Sequence, residues 1–182
     1  VYKKIWSPVI SINDLKKNNK NNKNNKKIFF LPPISRFKNN FIKVESSEIK
    51  NICVMLSGSS FKTKVFFSKI NLDKYNFYLI NYKYKLGSKD YTNHKYFYKE
   101  FDNFKILNKC DIAIINSGYS AIADCINLEI PMILMPINNH AEQYINSSIV
   151  KNENFGILTS GNLNEDIKII LKSYNLFKKN LK

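Results

Sequence analysis

The sequence predicts an α/β fold built on a doubly wound, Rossmann-like parallel sheet. Short apolar runs alternate along the chain with segments whose apolar residues recur at helical spacing, as in successive βαβ units. The apolar runs, such as residues 112–115, carry no polar residue at alternate positions, which is typical of strands buried on both faces. With 182 residues and a hydrophobic content of 44%, the chain is long enough to bury a core.

The first part of the chain is predicted to be a connector. Residues 1–12 favour a short strand and its exit, and residues 28–31 favour a second strand that a Pro-Pro pair ends. Residues 16–27 form a tract of Lys and Asn that cannot bury apolar area, so we expect a disordered insertion there. We interpret residues 1–44 as an interdomain connector and the tail of a preceding domain.

Residues 45–182 are predicted to form the sheet and its helices. The predicted strands lie at residues 52–56, 75–81, 96–98, 112–115, 132–135 and 156–158. The predicted helices lie at residues 61–70, 102–109, 119–128, 141–152 and 163–175, and residues 83–93 are expected to be a polar loop. Strands and helices at this spacing imply parallel strands with helices on both faces of one domain.

The helix predicted at residues 163–175 has the clearest pattern. Leu163, Ile167 and Ile170 recur at helical spacing and are expected to face the core. Asn162, followed three residues later by Glu165, resembles a capping box that would satisfy the free N–H groups of the first turn.

The formal net charge of +15 raises the question of a nucleic-acid partner. The 29 basic residues comprise 28 Lys and a single Arg, Arg36, whereas base and phosphate recognition favours Arg for its bidentate geometry. Abundant Lys, Asn and Ile with scarce Ala is the pattern that AT-rich coding DNA produces, so we expect no nucleic-acid partner. Peripheral contact with an anionic membrane surface stays open.

Targeting signals and metal motifs are not evident in the sequence. No stretch approaches the roughly 18 consecutive apolar residues of a membrane span, and the N-terminus lacks a secretory pattern, so a cytoplasmic protein is expected. Cys53, Cys110 and Cys125 lie in apolar segments and are expected to be buried, reduced thiols. The two histidines are far apart, and nothing has metal-ligand spacing, so no metal or other cofactor is expected.

Two small-residue turns at strand ends are candidate phosphate sites. In a doubly wound sheet, ligands bind beyond the carboxyl ends of the strands, where helix N-termini face outward. One turn contains Gly58 and Ser59, and the other runs from Ser117 through Gly118 and Tyr119 to Ser120. Neither is a P-loop or a G-x-G-x-x-G motif, and each turn alone is also compatible with an ordinary structural role.

Polar residues near the second turn extend this candidate site. Helical projection places Ser117, Ser120 and Asp124 on one narrow stripe of a mostly apolar helix, so Asp124 either accepts hydrogen bonds from a ligand diol or is a solvated surface residue. After the next strand, the loop carries His140 and opens a helix with Glu142 and Gln143. Those three residues suit either sugar hydroxyls or ordinary helix N-terminal chemistry.

The spacing of this region resembles a known family. Gly118, Asp124, Pro131, Pro136 and Gln143 follow one another at intervals of six, seven, five and seven residues. This pattern is similar to the nucleotide-sugar-binding, C-terminal half of GT-B glycosyltransferases, and most of all to family 28-type enzymes such as the undecaprenyl-linked N-acetylglucosaminyltransferase of peptidoglycan synthesis. Residues 31–36 resemble the connector between the two GT-B domains, and residues 56–60 resemble the first glycine-rich loop.

The resemblance implies a donor site for a UDP-sugar. Backbone around Gly58 and Gly118 would cradle the diphosphate, and Asp124, one methylene shorter than the usual Glu, would hold the ribose hydroxyls. Glu142 and Gln143 would contact the donor sugar. The donor-binding set is completed by Ser59, Ser117, Tyr119, Ser120 and His140. The catalytic base would come from an N-terminal, acceptor-binding domain or subunit, and no metal would be needed.

Other functions share these features. A non-catalytic donor-binding subunit that requires a membrane-bound partner has the same half-site, and nucleotide-sugar hydrolases and epimerases share the architecture. A basic nucleic-acid-binding protein is the alternative that the charge alone suggests.

Overall fold

A computed structural model of the protein describes residues 5–11, 28–35, 51–56, 74–80, 94–97 and 103–182. Several sequence predictions fall outside these residues: the Lys/Asn tract 16–27, the turn with Gly58 and Ser59, the helix 61–70 and the loop 83–93. The boundary proposed at residues 44 and 45 also lies outside them, so the division into a connector and a domain stays a prediction.

The described residues contain eight strands and five helices. The strands are β1 Ile5–Pro8, β2 Ile28–Leu31, β3 Asn51–Met55, β4 Asn76–Ile80, β5 His94–Phe97, β6 Ile112–Ile115, β7 Met132–Leu134 and β8 Gly156–Leu158. The helices are α1 Asn103–Leu107, α2 Tyr119–Asn127, α3 Ala141–Asn152, α4 Leu163–Lys172 and α5 Tyr174–Leu181. Most boundaries agree with the sequence prediction within two residues, since apolar runs and helical periodicity are local signals.

Six strands form one parallel sheet in the order β5-β4-β3-β6-β7-β8. From β3 the chain builds outward to β5, and from β6 it builds outward in the opposite direction to β8. This is the strand order of a doubly wound Rossmann-type sheet, so the predicted fold class is confirmed. The order reverses between β3 and β6, and in doubly wound sheets ligands bind beyond the carboxyl ends of the strands at such a reversal. The strands β1 and β2 pair with each other in a separate parallel sheet, a pairing that the sequence did not predict.

The sheet separates two hydrophobic cores. On β6, Ala113 and Ile115 belong to one core and Ile112 and Ile114 to the other, because successive side chains of a strand point to opposite faces. Buried side chains of α1, α2 and α3 complete the first core, and those of α4 complete the second. Both faces of the sheet are therefore covered by helices, as the continuous apolar strands predict.

The prediction of a single helix at residues 163–175 is wrong. The segment forms two helices, α4 and α5, which meet at Ser173, whose φ of −109° and ψ of 16° depart from helical values. Phe177 of α5 packs into the second core, whereas Leu181 packs into the first. The break at Ser173 thus lets α5 contribute to both cores, a tertiary requirement that helical periodicity does not reveal.

The predicted capping box at the start of α4 is also wrong. Asn162 makes no side-chain cap hydrogen bond. The buried carboxylate of Asp166 accepts instead from the backbone N–H of Ser160 at 3.1 Å and from the Ser160 hydroxyl at 2.8 Å. The left-handed turn at Gly161, with a φ of +90°, folds the preceding loop back over the helix end so that Asp166 reaches it.

The three cysteines are free and buried in the first core, as predicted. They also lie close together, which their wide spacing in sequence did not indicate. Burial raises the pKa of the Cys53 thiol well above its ordinary value of 9.0, and a hydrogen bond with Cys110 adds to the increase. No helix in the part of the chain that the structure describes is both long enough and apolar enough to cross a membrane.

Candidate functional site

The candidate site lies at the carboxyl ends of β3 and β6, where the strand order reverses. The backbone N–H of Asn116, just beyond β6, donates to the Met55 carbonyl at 3.4 Å, so the two strands run side by side to their ends. Ser117 and Gly118 then turn the chain into α2. Asp111 precedes β6 and therefore lies at the opposite edge of the sheet, where its carboxylate accepts from the Asn51 N–H at 2.9 Å. Its role is to join β3 and β6.

At the N-terminus of α2, several backbone N–H groups have no capping partner among the residues that the structure describes. Gly118 is the N-cap residue, no side chain caps the helix, and the first turn contains no acidic residue. The first intrahelical hydrogen bond runs from the N–H of Ile122 to the Gly118 carbonyl at 3.1 Å, so the N–H groups of residues 119–121 have no acceptor within the helix. Together with the helix dipole, these groups favour an anion at this position.

Open space lies beside Gly118. A Cβ atom added at this residue would meet no heavy atom of the described residues within 4 Å. Its φ of −72° and ψ of 138° are accessible to any L-residue, so the backbone does not require glycine here. Gly156 is the contrasting case, because a Cβ there would lie 2.1 Å from the Met132 carbonyl oxygen. Among the described residues, the missing side chain at Gly118 thus leaves room over the α2 N-terminus.

Ser117 faces the protein interior. It has no solvent exposure, and its hydroxyl oxygen lies 2.6 Å from the hydroxyl oxygen of Ser147. The Ser147 hydroxyl also donates to the Gln143 carbonyl at 2.7 Å. A hydroxyl has a single proton, so the geometry is satisfied when Ser117 donates to Ser147 and Ser147 donates to Gln143. The Ser117 side chain therefore fixes the turn against α3 rather than offering a hydrogen bond to a ligand.

Asn146 and Gln143 extend this contact between α3 and the loops. The amide nitrogen of Asn146 donates to the Ser117 carbonyl at 3.0 Å. The side-chain oxygen of Gln143 accepts from the Ile137 N–H at 2.9 Å. Within the described residues the Gln143 amide nitrogen has no partner, so this nitrogen is the donor that α3 can offer at the site.

Asp124 lies beneath the segment that follows β2. Its side chain is only 1% exposed, and the Ser35 hydroxyl donates to its Oδ1 at 3.0 Å. The Ile34 N–H donates to the Tyr119 hydroxyl at 3.2 Å, so the segment crosses α2 with two attachments. The alternative of a solvated surface Asp124 is therefore wrong.

Three further predicted site residues lie on the surface at the starts of the same two helices, and Gly58 and Ser59 lie outside the described residues. Ser120 in the first turn of α2 is exposed, and His140 and Glu142 at the start of α3 are exposed as well. The sequence assigned no contact to Ser35, Asn146 or Ser147, although Asn146 belongs to the pattern that resembles the GT-B family. A signal for the two α3 residues exists, because Gln143, Asn146, Ser147 and Val150 recur at core-facing helical spacing, and polar residues at such positions need partners. For Ser35 we find no such signal.

The described residues contain no group of three or more His, Cys, Asp or Glu side chains that could hold a metal ion.

Comparison with known proteins decides the family. Residues 17–174 match the family described as glycosyl transferase family 1. The chain belongs to glycosyl transferase family 1. The GT-B architecture that the motif spacing resembles is thereby confirmed. A search of curated proteins finds no match to the chain.

Solved glycosyltransferases share the fold of this family 1 chain. SnogD from Streptomyces nogalater is 16% identical, with a TM-score of 0.60 over 75% of this chain and 39% of that one. SsfS6 from Streptomyces sp. SF2575, solved with thymidine diphosphate, is 13% identical, with a TM-score of 0.59 over 76% and 37%. The calicheamicin glycosyltransferase CalG4 is 12% identical, with a TM-score of 0.65 over 87% and 42%. The family 1 chain thus spans about two fifths of the length of these enzymes.

Proposed function

We propose that this family 1 chain binds a UDP-sugar and presents it for transfer of the sugar to a lipid or glycan acceptor. The observation that carries the proposal is the space that the described residues leave beside Gly118, over the N-terminus of α2 that none of them caps, at the point where the strand order reverses. The family membership and the structure of SsfS6 with thymidine diphosphate support a nucleoside diphosphate as the ligand.

The diphosphate is placed at the start of α2. Its oxygens would accept hydrogen bonds from the backbone N–H groups of residues 119–121, with the exposed Ser120 hydroxyl as a further donor. A hydrogen bond to a charged group contributes about 1.5–3 kcal/mol, and the helix dipole adds about 0.3–1 kcal/mol.

The donor sugar is placed at the start of α3. The exposed Glu142 carboxylate can accept from sugar hydroxyls, the Gln143 amide nitrogen can donate to them, and His140 is exposed beside both. The hydrogen bonds through Ser117, Asn146 and Ser147 hold the start of α3 next to the phosphate turn. An N-acetylhexosamine or hexose donor suits this mixture of acceptors and donors.

Transfer breaks the bond between the anomeric carbon and the diphosphate oxygen. Negative charge grows on the leaving diphosphate, and the α2 N-terminus stabilises that charge without a metal. An acceptor hydroxyl attacks the opposite face of the sugar and gives up its proton to a base. We place that base, and the acceptor site, on a separate domain or subunit. Because the donor and the acceptor are then both already bound, they lose little further translational and rotational freedom when they react.

Where the acceptor is a lipid, this reaction would occur at the cytoplasmic face of a membrane. The net charge of +15 favours weak association with anionic lipid and supports this placement. Nucleic acid is not part of the proposed function.

Calorimetric titration of the full chain with UDP, uridine, TDP and UDP-N-acetylglucosamine tests the proposal. We expect UDP to bind far more tightly than uridine, because the diphosphate supplies most of the contacts, and UDP to bind more tightly than TDP. If UDP and uridine are equally weak, the diphosphate site is refuted; if TDP is preferred, the choice of uridine is refuted.

Product analysis tests the reaction. Incubation of the chain together with the acceptor-binding domain or subunit, labelled UDP-N-acetylglucosamine and a polyprenyl-phosphate-linked acceptor should give labelled lipid. Release of free sugar without an acceptor would instead identify a nucleotide-sugar hydrolase, and a change of sugar configuration an epimerase. Binding of RNA that weakens steeply with salt, with UDP having no effect, would point to a nucleic-acid-binding protein.

A further inference from the structure

We propose that the outer face of α4 and α5 is a docking surface for an anionic lipid bilayer. This face consists of exposed residues from both helices: Lys168, Ile169, Lys172, Leu176, Lys179 and Lys182. The inference goes beyond the proposed function, because it assigns a partner to a surface that is separate from the nucleotide site and does not depend on nucleotide binding.

Core packing decides which side of the two helices points outward. The residues that pack in or against the second core are spaced by three or four positions along both helices: Leu163, Ile167, Ile170, Tyr174 and Phe177. At about 100° per residue, the six residues of the outer face fall on the opposite side of the helices. Because α4 and α5 both rest on the same core, the break at Ser173 leaves their outer sides on one side of the domain.

The outer face is strongly positive. Its four lysines are exposed, whereas Glu165 is the one exposed acidic residue of α4 and α5. Glu165 pairs with Lys168 at 2.8 Å, but an ion pair between two exposed groups contributes little. On the other face of the sheet, the exposed charges of α3 are one lysine, Lys151, and one carboxylate, Glu142. Among the helices of the described residues, positive charge is thus concentrated on the side that α4 and α5 form.

Two apolar side chains lie beside the lysines. Ile169 is 48% exposed and Leu176 is 52% exposed, and in helical projection both fall along one border of the lysine stripe. Lysine reaches anionic headgroups with its long stem, and aliphatic side chains enter the boundary between headgroups and acyl chains. Nucleic acid is recognised mainly by Arg and aromatic side chains, so lysines next to aliphatic residues favour a lipid surface.

The location of the outer face leaves the nucleotide site accessible. α4 follows β8 and therefore begins at the carboxyl edge of the sheet. α5 lies at the amino edge, where the Tyr174 hydroxyl donates to the Asp111 carbonyl at 3.4 Å and Lys178 Nζ donates to the Glu129 carbonyl at 3.1 Å. A bilayer along both helices covers the side of the sheet opposite α2 and α3. The carboxyl edge then faces along the membrane surface, where an acceptor held at the membrane can approach it.

Sedimentation of the full chain with sucrose-loaded vesicles tests the charge of the face. The chain should bind vesicles of phosphatidylcholine with phosphatidylserine about tenfold or more tightly than vesicles of phosphatidylcholine alone. Lys172→Gln combined with Lys179→Gln should weaken binding to the anionic vesicles about tenfold or more, because each lysine near an anionic surface contributes a factor of about five.

Lys105→Gln combined with Lys151→Gln is the matched control. It removes the same charge from exposed positions of α1 and α3, on the other face of the sheet, and should weaken vesicle binding less than about threefold because salt screens distant charges. Urea unfolding of each variant checks that it is folded.

A tryptophan variant tests the apolar contact. In Leu176→Trp, anionic vesicles should shift the added emission to shorter wavelength and brominated lipid should quench it, because the indole enters the headgroup boundary. In Ile145→Trp, at a position of α3 that is 61% exposed, neither change should occur. The emission of the parent, which has one tryptophan, is subtracted from both.

Four results would overturn the inference. No binding of anionic vesicles by the full chain would remove the lipid partner. Equal weakening in the two double variants would assign the binding to total charge or to another basic segment, and equal responses of the two tryptophan variants would mean that the face does not enter the bilayer. Binding of RNA that depends on Lys172 and Lys179, without vesicle binding, would identify nucleic acid as the partner. No nucleotide enters these assays, so the proposed function stands or fails independently.

Discussion

Ser117 and Ser147 are 30 positions apart in sequence, and their hydroxyl oxygens lie 2.6 Å apart in the structure. The contact is buried, and Asn146 adds a hydrogen bond to the carbonyl of the same Ser117. The loop that leads to the α2 N-terminus is therefore attached to α3, the helix that carries the candidate sugar-binding residues. The proposed phosphate and sugar sites form one structural unit.

Loss of the Asn146 side chain should affect both stability and binding. In Asn146→Ala the buried Ser117 carbonyl loses its side-chain donor, so the free energy of unfolding should fall by about 1–3 kcal/mol. The looser turn should also weaken UDP binding several-fold. Urea unfolding and calorimetric titration measure the two effects.

Ser148→Ala is the matched control, since the Ser148 hydroxyl is exposed and bonds only to the Tyr144 carbonyl one turn back. It should change stability by less than about 0.5 kcal/mol. If Asn146→Ala and Ser148→Ala change the free energy of unfolding and the UDP affinity by the same amounts, the hydrogen bond from Asn146 to Ser117 does not hold the turn.

Gly118→Ala should separate binding from folding. The added methyl group meets no atom of the described residues and the backbone dihedrals suit alanine, so the free energy of unfolding should change by less than about 1 kcal/mol. UDP affinity should fall about tenfold or more, because the methyl group occupies the space proposed for the diphosphate. Thermal unfolding and titration on the same sample provide both values.

Gly156→Ala is the opposite case. Its Cβ would overlap the Met132 carbonyl, and we expect the free energy of unfolding to fall by several kcal/mol or the protein to fail to fold.

Unchanged UDP affinity in a stable Gly118→Ala protein would place the diphosphate elsewhere.

Asp166→Asn should destabilise α4 without affecting the nucleotide site. The carboxylate accepts from the Ser160 N–H and hydroxyl and from the Thr159 hydroxyl, and an amide cannot accept all of these. We expect a loss of about 1–3 kcal/mol in urea unfolding, with UDP affinity unchanged. Asn162→Ala, which removes a side chain without a cap hydrogen bond, should cost much less. Equal losses of unfolding free energy in Asp166→Asn and Asn162→Ala would instead support the predicted capping box.

Cys53 should make stability fall at alkaline pH. Its pKa in the folded protein is raised by burial, so the unfolded chain loses the thiol proton first as the pH increases. The folded protein favours the protonated thiol. This contribution to the free energy of unfolding is fully present below pH 9.0, the ordinary pKa, and is lost as the pH rises through the pKa of Cys53 in the folded protein. Urea unfolding between pH 7 and 11 should show a smaller advantage of the parent over Cys53→Ala at high pH. A pH-independent difference between the two proteins would contradict the shifted pKa.

The elements that build the site were accessible from sequence because their signals are local. The strand at residues 112–115, the turn at Gly118 and the helix at residues 141–152 follow from short apolar runs, a small-residue turn and helical periodicity. The failure at Ser173 arose where the packing of α5 into both cores overrode a local pattern, whereas the failure at Asn162 arose from a hydrogen bond between Ser160 and Asp166, six residues apart. The Asp166 carboxylate accepts the hydrogen bond from the Ser160 N–H because the left-handed turn at Gly161 brings the loop to it.

The sequence by itself determined the fold class, the strand ends and the residues that face the carboxyl edge, since periodicity and turn composition depend on neighbours in the chain. Only the tertiary structure decided which of those residues are available. It turned Ser117 inward to Ser147, buried Asp124 beneath Ser35 and left the space beside Gly118 open. These outcomes depend on strand order and helix packing, which bring together residues that no local pattern connects.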